Sequence, residues 1–277
     1  MCWLVLFDSD PKMPKLPEKL FTAGGYEVQI PKFLIGLFLP LISRKNSAKN
    51  GRGKYPRIEV AGASMRIGKT TLIRRVLVDR LIQLGIPVLF SPEDWRNNPH
   101  LRASYQDQAG RSQALKESQK WFAKRKFDQL SKPVDKAVFI QDVSPLMDLG
   151  YAVTNAVLEQ MLGGDFEQYL ASFQRLAWKQ VLAPDLTIFL DASDDVLLQR
   201  AEKSRRPFET FDQSYILTMA AINGFLINSA PDQDSILHVE TDNNNFARDE
   251  EVQDWLFSLI VKELIKRDWS EMEQLLV

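Results

Sequence analysis

Short apolar runs alternate with longer amphipathic stretches along most of the chain after residue 55. The first run, 58–61, is followed by leucines, isoleucines and valines that recur every three or four residues from Leu72 to Leu84, a spacing typical of an amphipathic helix. Four later runs favour buried strands. They lie in GIPVLFSPE, KAVFIQD, PDLTIFLD and SILHVETD, which end near Glu93, Asp142, Asp191 and Asp242. Strands that alternate with helices predict an α/β fold with a parallel sheet of about five strands, covered by helices on both faces.

The loop between the first strand and the first helix ends in Gly-Lys-Thr. Phosphate-binding loops turn consecutive backbone N–H groups onto the phosphate oxygens, and add a lysine and a hydroxyl for Mg²⁺. Here the pattern G-x-x-x-x-G-K-[ST] begins with Ala63 instead of glycine and carries Arg66 where glycine is usual. Its setting between strand and helix predicts a P-loop, while a turn with an incidental lysine is the alternative. The predicted loop residues are Ala63, Ser64, Met65, Arg66, Ile67, Gly68, Lys69, Thr70 and Thr71.

Each of the four later strands ends near a carboxylate, and the first two of these are Glu93 and Asp142. In parallel sheets ligands bind beyond the carboxyl ends of the strands, so we expect Glu93 and Asp142 to lie beside the loop. Asp142, with Thr70, is a candidate ligand for Mg²⁺, and Glu93 could accept the proton of an attacking hydroxyl. Strand-end carboxylates also commonly cap helices or face solvent, and the neighbouring loop is what favours the catalytic interpretation.

A cationic stretch, LLQRAEKSRRPFE, follows the strand that ends at Asp191. Its cations are Arg200, Lys203, Arg205 and Arg206. Such a stretch could close over phosphates as a lid and exclude water. The alternative is a solvated helix face whose charges pair with Glu202 and Glu209.

Composition narrows the classes of partner. Lys and Arg number 35 against 36 Asp and Glu, so no overall positive field favours a nucleic acid polymer or an anionic membrane. The single cysteine, Cys2, excludes an intrachain disulfide and is consistent with the cytoplasm. His100 and His238 are far apart along the chain and give no metal-ligand spacing.

Residues 1–55 differ from the rest of the chain. They contain two apolar runs, CWLVLF and FLIGLFLPLI, which are both too short for a transmembrane helix. A basic stretch without acidic residues then leads from Ser43 to Ile58. We expect a short N-terminal extension with a basic linker, 1–55, ahead of one domain, 56–277. The apolar runs would pack on the domain or a partner, or lie on a membrane surface.

From about residue 56 to 262 the order of these segments resembles the deoxynucleoside kinase family, most closely its bacterial members that act on purine deoxynucleosides. SPEDWRNNPHLRASYQD is similar to the family's Glu-Pro-Val, Asn-Pro-x-Leu and Phe-Tyr motifs. RSQALKESQKWFAKRKFDQL is similar to the family's substrate helix, and IQDVSPLMD to its Asp/Glu-Arg-Ser motif with a later aspartate. The cationic stretch is similar to its lid, Arg…Arg-Gly-Arg-Glu-x-Glu.

The resemblance implies a P-loop kinase fold, usually dimeric, that transfers the γ-phosphate of ATP, with Mg²⁺, to the 5′-hydroxyl of a small deoxynucleoside in nucleotide salvage. It implies Glu93 as general base, Lys69 and Arg206 as further catalytic residues, and Arg200 at ATP. The substrate residues that it implies are Tyr105 at the 3′-hydroxyl of the sugar, Gln119, Lys126 and Asp148 at the base, and Glu209 in the lid. A purine would also need an aromatic slot, for which the candidates are Trp95, Trp121 and Phe122; core packing is the alternative for these rings.

Three departures from the family pattern bear on activity. Val143 replaces the arginine of Asp-Arg-Ser, Ser204 stands at a lid arginine, and Arg66 replaces a loop glycine. Loss of an arginine that stabilises the transition state can raise the barrier by several kcal/mol. If Arg66 has α-region dihedrals, its guanidinium could reach a phosphate and replace the cation missing at Val143. Two alternatives to the kinase therefore stay open: a kinase-like nucleotide-binding or structural partner, and a thymidylate-kinase-like enzyme.

Overall fold

A computed structural model describes most of the chain beyond residue 53. The described residues are 20–23, 26–29, 54–106, 109–131, 136–177, 184–206, 209, 211–230, 233–244, 246–270 and 272–273. Two short strands near the N-terminus, β1 (Leu20–Ala23) and β2 (Tyr26–Gln29), pair as an antiparallel hairpin. The sequence patterns did not predict this hairpin, and both apolar runs of the extension lie outside the described residues.

Five further strands form one parallel sheet with the order β4-β5-β3-β6-β7. They are β3 (Arg57–Gly62), β4 (Val88–Ser91), β5 (Val138–Asp142), β6 (Leu186–Asp191) and β7 (Ile236–Glu240). All five strands predicted from the apolar runs are confirmed, and the predicted α/β fold is confirmed with them.

Helices connect the strands and cover the sheet. The first, α1, comprises Lys69–Thr71, a π-helical stretch Leu72–Val78 and Asp79–Gln83. The others are α2 (Leu101–Ser104), α3 (Arg111–Leu130), α4 (Pro145–Val157), α5 (Gly163–Ala177), α6 (Asp194–Lys203), α7 (Gln213–Asn228) and α8 (Glu250–Ile265). No helix among the described residues is long and apolar enough to cross a membrane.

The strand order explains why helices lie on both faces. The chain runs from the central strand β3 to the edge strand β4, returns to β5, and then crosses β3 to reach β6 and β7. Crossovers between parallel strands are almost always right-handed, so reversing the direction of travel changes the face on which the connecting helix packs. Accordingly α8 packs against α1, whereas α3, α4, α5 and α7 pack against one another.

A buried polar row crosses the otherwise apolar sheet. Glu59 of β3 lies in register with Gln141 of β5 and Thr187 of β6, and Gln141 lies in register with Ser91 of β4. All four side chains are buried. The Ser91 hydroxyl donates to Gln129 of α3, which places the row on the face that α3 covers.

Candidate active site

The carboxyl ends of β3, β4 and β5 meet at one edge of the sheet and surround a cavity of about 530 Å³. This is the arrangement expected for a ligand site in an open parallel sheet. The predicted site residues that line the cavity are Met65, Arg66, Gly68, Lys69, Thr70, Thr71, Glu93, Tyr105, Gln119, Asp142, Asp148, Arg206 and Glu209. Segments that are far apart in the sequence thus contribute to one site.

The remaining predicted site residues lie behind the cavity wall. Ala63, Ser64 and Ile67 belong to the loop itself and are fully buried. Arg200 lies on the far side of the loop, where its guanidinium donates to the carbonyl oxygens of Ile67 and Thr241 at 3.3 and 2.7 Å. In this position Arg200 supports the loop from behind, and its contact with ATP stays a prediction.

The phosphate loop is held in place by tight packing around its glycine. Gly68 has φ 108°, and a Cβ atom there would lie 2.9 Å from Cζ of Phe246, so a side chain would meet both strain and a clash. The next residue, Lys69, donates from Nζ to the carbonyl oxygen of Ser64 at 3.1 Å. Burial lowers the pKa of Lys69, although Asp142 and Glu93 act in the opposite direction. The amine is therefore held against the loop inside the cavity.

Thr70 and Asp142 fit a divalent cation. Thr70 Oγ1 donates to Asp142 Oδ2 at 3.0 Å, whereas Asp142 Oδ1 is buried and accepts no hydrogen bond among the described residues. Burial, with the nearby charge of Glu93, raises the pKa of Asp142 to about 6. A hydroxyl beside an unsatisfied carboxylate oxygen is the hard oxygen ligand set that Mg²⁺ prefers, so these residues fit the metal.

The hypothesis that Arg66 adopts α-region dihedrals is wrong. Arg66 has φ 64°, in the left-handed region, where a non-glycine residue costs about 1–2 kcal/mol. Its guanidinium forms an ion pair with Glu209, with 2.7 Å between Nη2 and Oε2. The sequence pattern could not reveal this partner, which lies 143 residues further along the chain.

Val143 also occupies a strained backbone position. Its φ of 71° is unusual for a β-branched residue, and its side chain is completely buried in the core. The end of β5 therefore presents no cation where the related motif carries arginine. Such backbone strain persists only where the surrounding structure enforces it, and it is found mainly at functional sites.

Helices α3 and α4 contribute polar side chains to the cavity. Gln119 of α3 and Asp148 of α4 both line it, and both Gln119 Oε1 and Asp148 Oδ2 are buried without a hydrogen-bond partner among the described residues. Lys126 lies deeper and forms a buried ion pair with Asp148. Burial raises the pKa of Asp148 to about 7 against the opposing effect of Lys126. A direct contact of Lys126 with substrate stays a prediction.

The aromatic candidates separate into two groups. Trp95 and Phe122 line the cavity, whereas Trp121 is not among its lining residues and packs edge to face on Phe122. The Arg206 guanidinium lies over the Trp95 ring at 3.8 Å, which orders both side chains by a cation–π contact. Trp95 thereby connects the predicted lid to the segment that follows β4.

Asn223 is a supporting residue that the sequence analysis missed. It lies on α7, is buried, and donates from Nδ2 to the carbonyl oxygen of Ala63 at 2.9 Å. Helix α7 passes so close to Gly150 of α4 that a Cβ atom on this glycine would lie 1.8 Å from Asn223 Oδ1. No motif marks such a contact, since an asparagine in an apolar helix shows its role only once the two helices are placed together.

Comparisons with known proteins agree with this architecture. A family model described as deoxynucleoside kinase matches residues 58–266, whereas no curated protein sequence gives a significant match. Among solved structures, deoxyadenosine kinase from M. mycoides with the products dCMP and dCDP bound is similar, with a TM-score of 0.58 and 19% identity over 76% of this chain and 98% of that enzyme. Its complex with dATP gives the same TM-score and identity over 75% and 98%. Thymidylate kinase from Candida albicans gives a TM-score of 0.50 and 17% identity over 76% and 93%.

Proposed function

The chain belongs to the deoxynucleoside kinase family, and we propose that it transfers the γ-phosphate of ATP to the 5′-hydroxyl of a deoxynucleoside, with a purine favoured. The observation that carries the proposal is the convergence of Lys69, Thr70, Asp142, Glu93 and Gln119 around one cavity. Phosphoryl transfer depends mainly on positioning and on neutralising charge. These residues supply both at the carboxyl edge of the sheet.

Each group has one task in the proposed reaction. Lys69 binds the terminal phosphates of the donor, and Glu93 accepts the proton of the attacking 5′-hydroxyl. Thr70 and Asp142 would hold Mg²⁺, which when bound neutralises charge on the donor phosphates. Arg206 would face the transferred phosphoryl group and Arg200 the donor nucleotide, while Tyr105 and Glu209 would bind the sugar.

The base would be held between polar and aromatic groups. The unpartnered oxygens of Gln119 and Asp148 are suited to a base that offers hydrogen-bond donors, because a buried acceptor gains most when it is paired. Trp95 and Phe122 add apolar surface to the cavity. We extend the proposal to nucleotide salvage in the cytoplasm by a homodimer, as the family resemblance implies.

A second candidate function is nucleotide binding with impaired catalysis. It is favoured by one observation, the buried apolar side chain of Val143 at the end of β5. Without a cation there, the protein would bind donor and acceptor but transfer phosphate slowly. Binding without turnover would distinguish this candidate from the kinase.

The test is phosphate transfer from ATP with Mg²⁺ to each of the four common deoxynucleosides and to thymidine monophosphate. We expect turnover of a purine deoxynucleoside, with Glu93→Gln lowering kcat by about 10²–10⁴-fold through loss of the general base. Lys69→Ala should lower it at least about 100-fold by removing the cation at the phosphates. The matched surface variants Lys124→Ala and Glu167→Gln change exposed residues and should have no effect.

Three other outcomes would change the assignment. Absence of turnover in folded protein that still binds nucleotides would favour the impaired binding partner. Transfer to thymidine monophosphate instead of a nucleoside would identify a thymidylate-kinase-like enzyme. Turnover that persists in both site variants would show that the chemistry does not use this loop and carboxylate.

A further inference from the structure

The ion pair of Arg66 with Glu209 joins two parts of the cavity that have different tasks. Arg66 belongs to the phosphate loop, whereas Glu209 follows helix α6 and belongs to the predicted lid. Both side chains are largely enclosed, with 19% and 6% of their surfaces exposed. A charged pair with little contact to water holds its geometry more firmly than a pair on the surface.

The donors around Glu209 leave one of its two oxygens without a hydrogen bond among the described residues. Oε2 accepts from Arg66 Nη2 at 2.7 Å and from the backbone N–H of Arg206 at 2.9 Å. Oε1 lies 3.0 Å from Arg206 Nη1, but the geometry is not that of a hydrogen bond, and this oxygen is buried without a hydrogen-bond partner among the described residues. The carboxylate is therefore fixed through Oε2, while Oε1 keeps the capacity to accept a hydrogen bond.

The neighbouring Tyr105 indicates which part of the substrate Glu209 Oε1 would bind. Tyr105 and Glu209 both line the cavity, and the charge of Glu209 contributes, after burial, to raising the pKa of the Tyr105 phenol. In the proposed reaction these two side chains bind the sugar of the acceptor. A sugar hydroxyl there could donate to Glu209 Oε1.

We propose that Arg66 is a positioning residue for the acceptor: from the phosphate loop it orients the Glu209 carboxylate so that Oε1 receives the 3′-hydroxyl of the sugar. The inference rests on the proposed function for the identity of the acceptor. It gives the loop arginine a task that a glycine could not perform. It also makes the geometry of the donor loop and that of the sugar site depend on each other.

The role of Arg66 extends beyond charge alone. Its Nε is buried without a hydrogen-bond partner among the described residues, so the guanidinium binds Glu209 through one nitrogen, Nη2. A planar guanidinium fixes the direction of that bond, whereas the ammonium of a lysine would act as a point charge on a flexible chain. Arg66→Lys should therefore orient Glu209 less well than the natural residue, although the charge is kept.

The experiment compares a deoxynucleoside with the 2′,3′-dideoxynucleoside of the same base, as acceptors in turnover and as ligands in titration calorimetry. We expect wild type to favour the deoxynucleoside by about 10–100-fold in kcat/KM and in affinity, the range for a hydrogen bond to a charged group. In Arg66→Gly this preference should fall below about fivefold, and Arg66→Lys should lie between the two. Arg66→Gly should raise KM for the deoxynucleoside more than it raises KM for ATP.

Two further variants separate positioning from a general effect on folding. Glu209→Gln should also reduce the preference, and the double variant Arg66→Gly/Glu209→Gln should reduce it no further, because both changes weaken the same hydrogen bond. Arg75→Ala, an exposed arginine on the helix that follows the loop, should leave the preference unchanged. Thermal unfolding of each variant verifies that it is folded.

The outcomes distinguish this inference from the proposed function. A wild-type preference that survives in Arg66→Gly, or a wild type that does not discriminate between the two nucleosides in binding or in turnover, would overturn the role of Arg66. Absence of turnover with a binding preference that Arg66→Gly abolishes would reject the kinase activity and keep the role of Arg66.

Discussion

Glu59 is an ionisable residue in the middle of β3, a strand whose residues are all buried. Its side chain is nearly inaccessible to water and interacts with Ser144. Burial raises the pKa of Glu59 to about 7, and the hydrogen bond from Ser144 and the charge of Lys126 only partly oppose this shift. The carboxyl group is thus protonated in the folded protein at pH values at which it is ionised in the unfolded chain.

Because burial raises the pKa of Glu59 in the folded protein, we expect the free energy of unfolding to fall as the pH rises. A carboxyl whose folded pKa exceeds its unfolded value contributes its full stability below the unfolded pKa and loses it as the pH rises through the folded pKa, here between about 4.5 and 7. Over this window Glu59 should account for a loss of about 3 kcal/mol in the free energy of unfolding. Glu59→Gln should abolish that part of the slope in urea unfolding measured at several pH values.

The Glu59 prediction has a built-in comparison. Asp148, whose pKa is also raised to about 7 by burial, remains in the variant and should retain its own pH dependence. Glu167→Gln changes an exposed residue of α5 and should leave the slope as in wild type. A Glu59→Gln protein that loses stability with pH as steeply as wild type would contradict the assignment.

The place of an individual residue in the structure could be predicted from the sequence only where a local motif defines it. The glycine, lysine and threonine of the loop were placed correctly beside the cavity because their spacing is local. The left-handed backbone of Val143 was not predicted, because a β-branched residue rarely adopts it. The structure around Val143 imposes it through contacts far along the chain.

Helices α4 and α7 cross so closely that the contact depends on one glycine. A Cβ atom on Gly150 would overlap Asn223 Oδ1, and Asn223 in turn donates to the carbonyl oxygen of Ala63 in the phosphate loop. The close crossing thus holds Asn223 in place beneath the phosphate loop, in addition to forming part of the core. Substitutions here should affect stability and donor binding together.

Gly150→Ala should lower the free energy of unfolding by about 2–3 kcal/mol, because the overpacked helices must move apart. Gly224→Ala is the matched control: it lies in the same helix as Asn223, and no atom lies within 4 Å of the added methyl group, so it should be neutral or stabilising by up to about 1 kcal/mol. Urea unfolding measures both values. Equal effects of the two substitutions would contradict the proposed close crossing.

The elements were easier to predict than their contacts. The five strands of the sheet were recognisable because buried parallel strands are nearly continuous apolar runs with polar residues at their ends. The hairpin at β1 and β2 was missed, since LFTA and YEVQ contain no apolar run as long as those that mark the strands of the sheet. The π-helical turn within α1 was missed because its sequence fits an ordinary helix equally well.

The described residues that line the cavity all lie between Met65 and Tyr215. The family model likewise begins at residue 58, and 76% of this chain is enough to cover 98% of the similar deoxyadenosine kinase. The first 53 residues thus contribute nothing to the described wall of the cavity. Their strand β1 approaches α7, the helix that carries Asn223.

Removal of residues 1–53 should therefore leave kcat/KM within about threefold of the full chain, a change in barrier of about 0.6 kcal/mol. The measurement is the phosphate-transfer assay on the two chain lengths, with circular dichroism to compare their folds. A loss of more than about tenfold in folded protein would show that the N-terminal segment completes the site.

The polar row across the sheet also determines how the strands align during folding. Central strands that are apolar on both faces gain almost as much from a shifted pairing as from the correct one, so the hydrophobic effect alone specifies their register weakly. With Glu59, Gln141 and Thr187 in one row, a shift of one residue would turn Glu59 away from Ser144 and leave its carboxyl among apolar side chains. The row therefore favours the native register, because burying its polar groups costs less in the native sheet than in a sheet shifted by one residue.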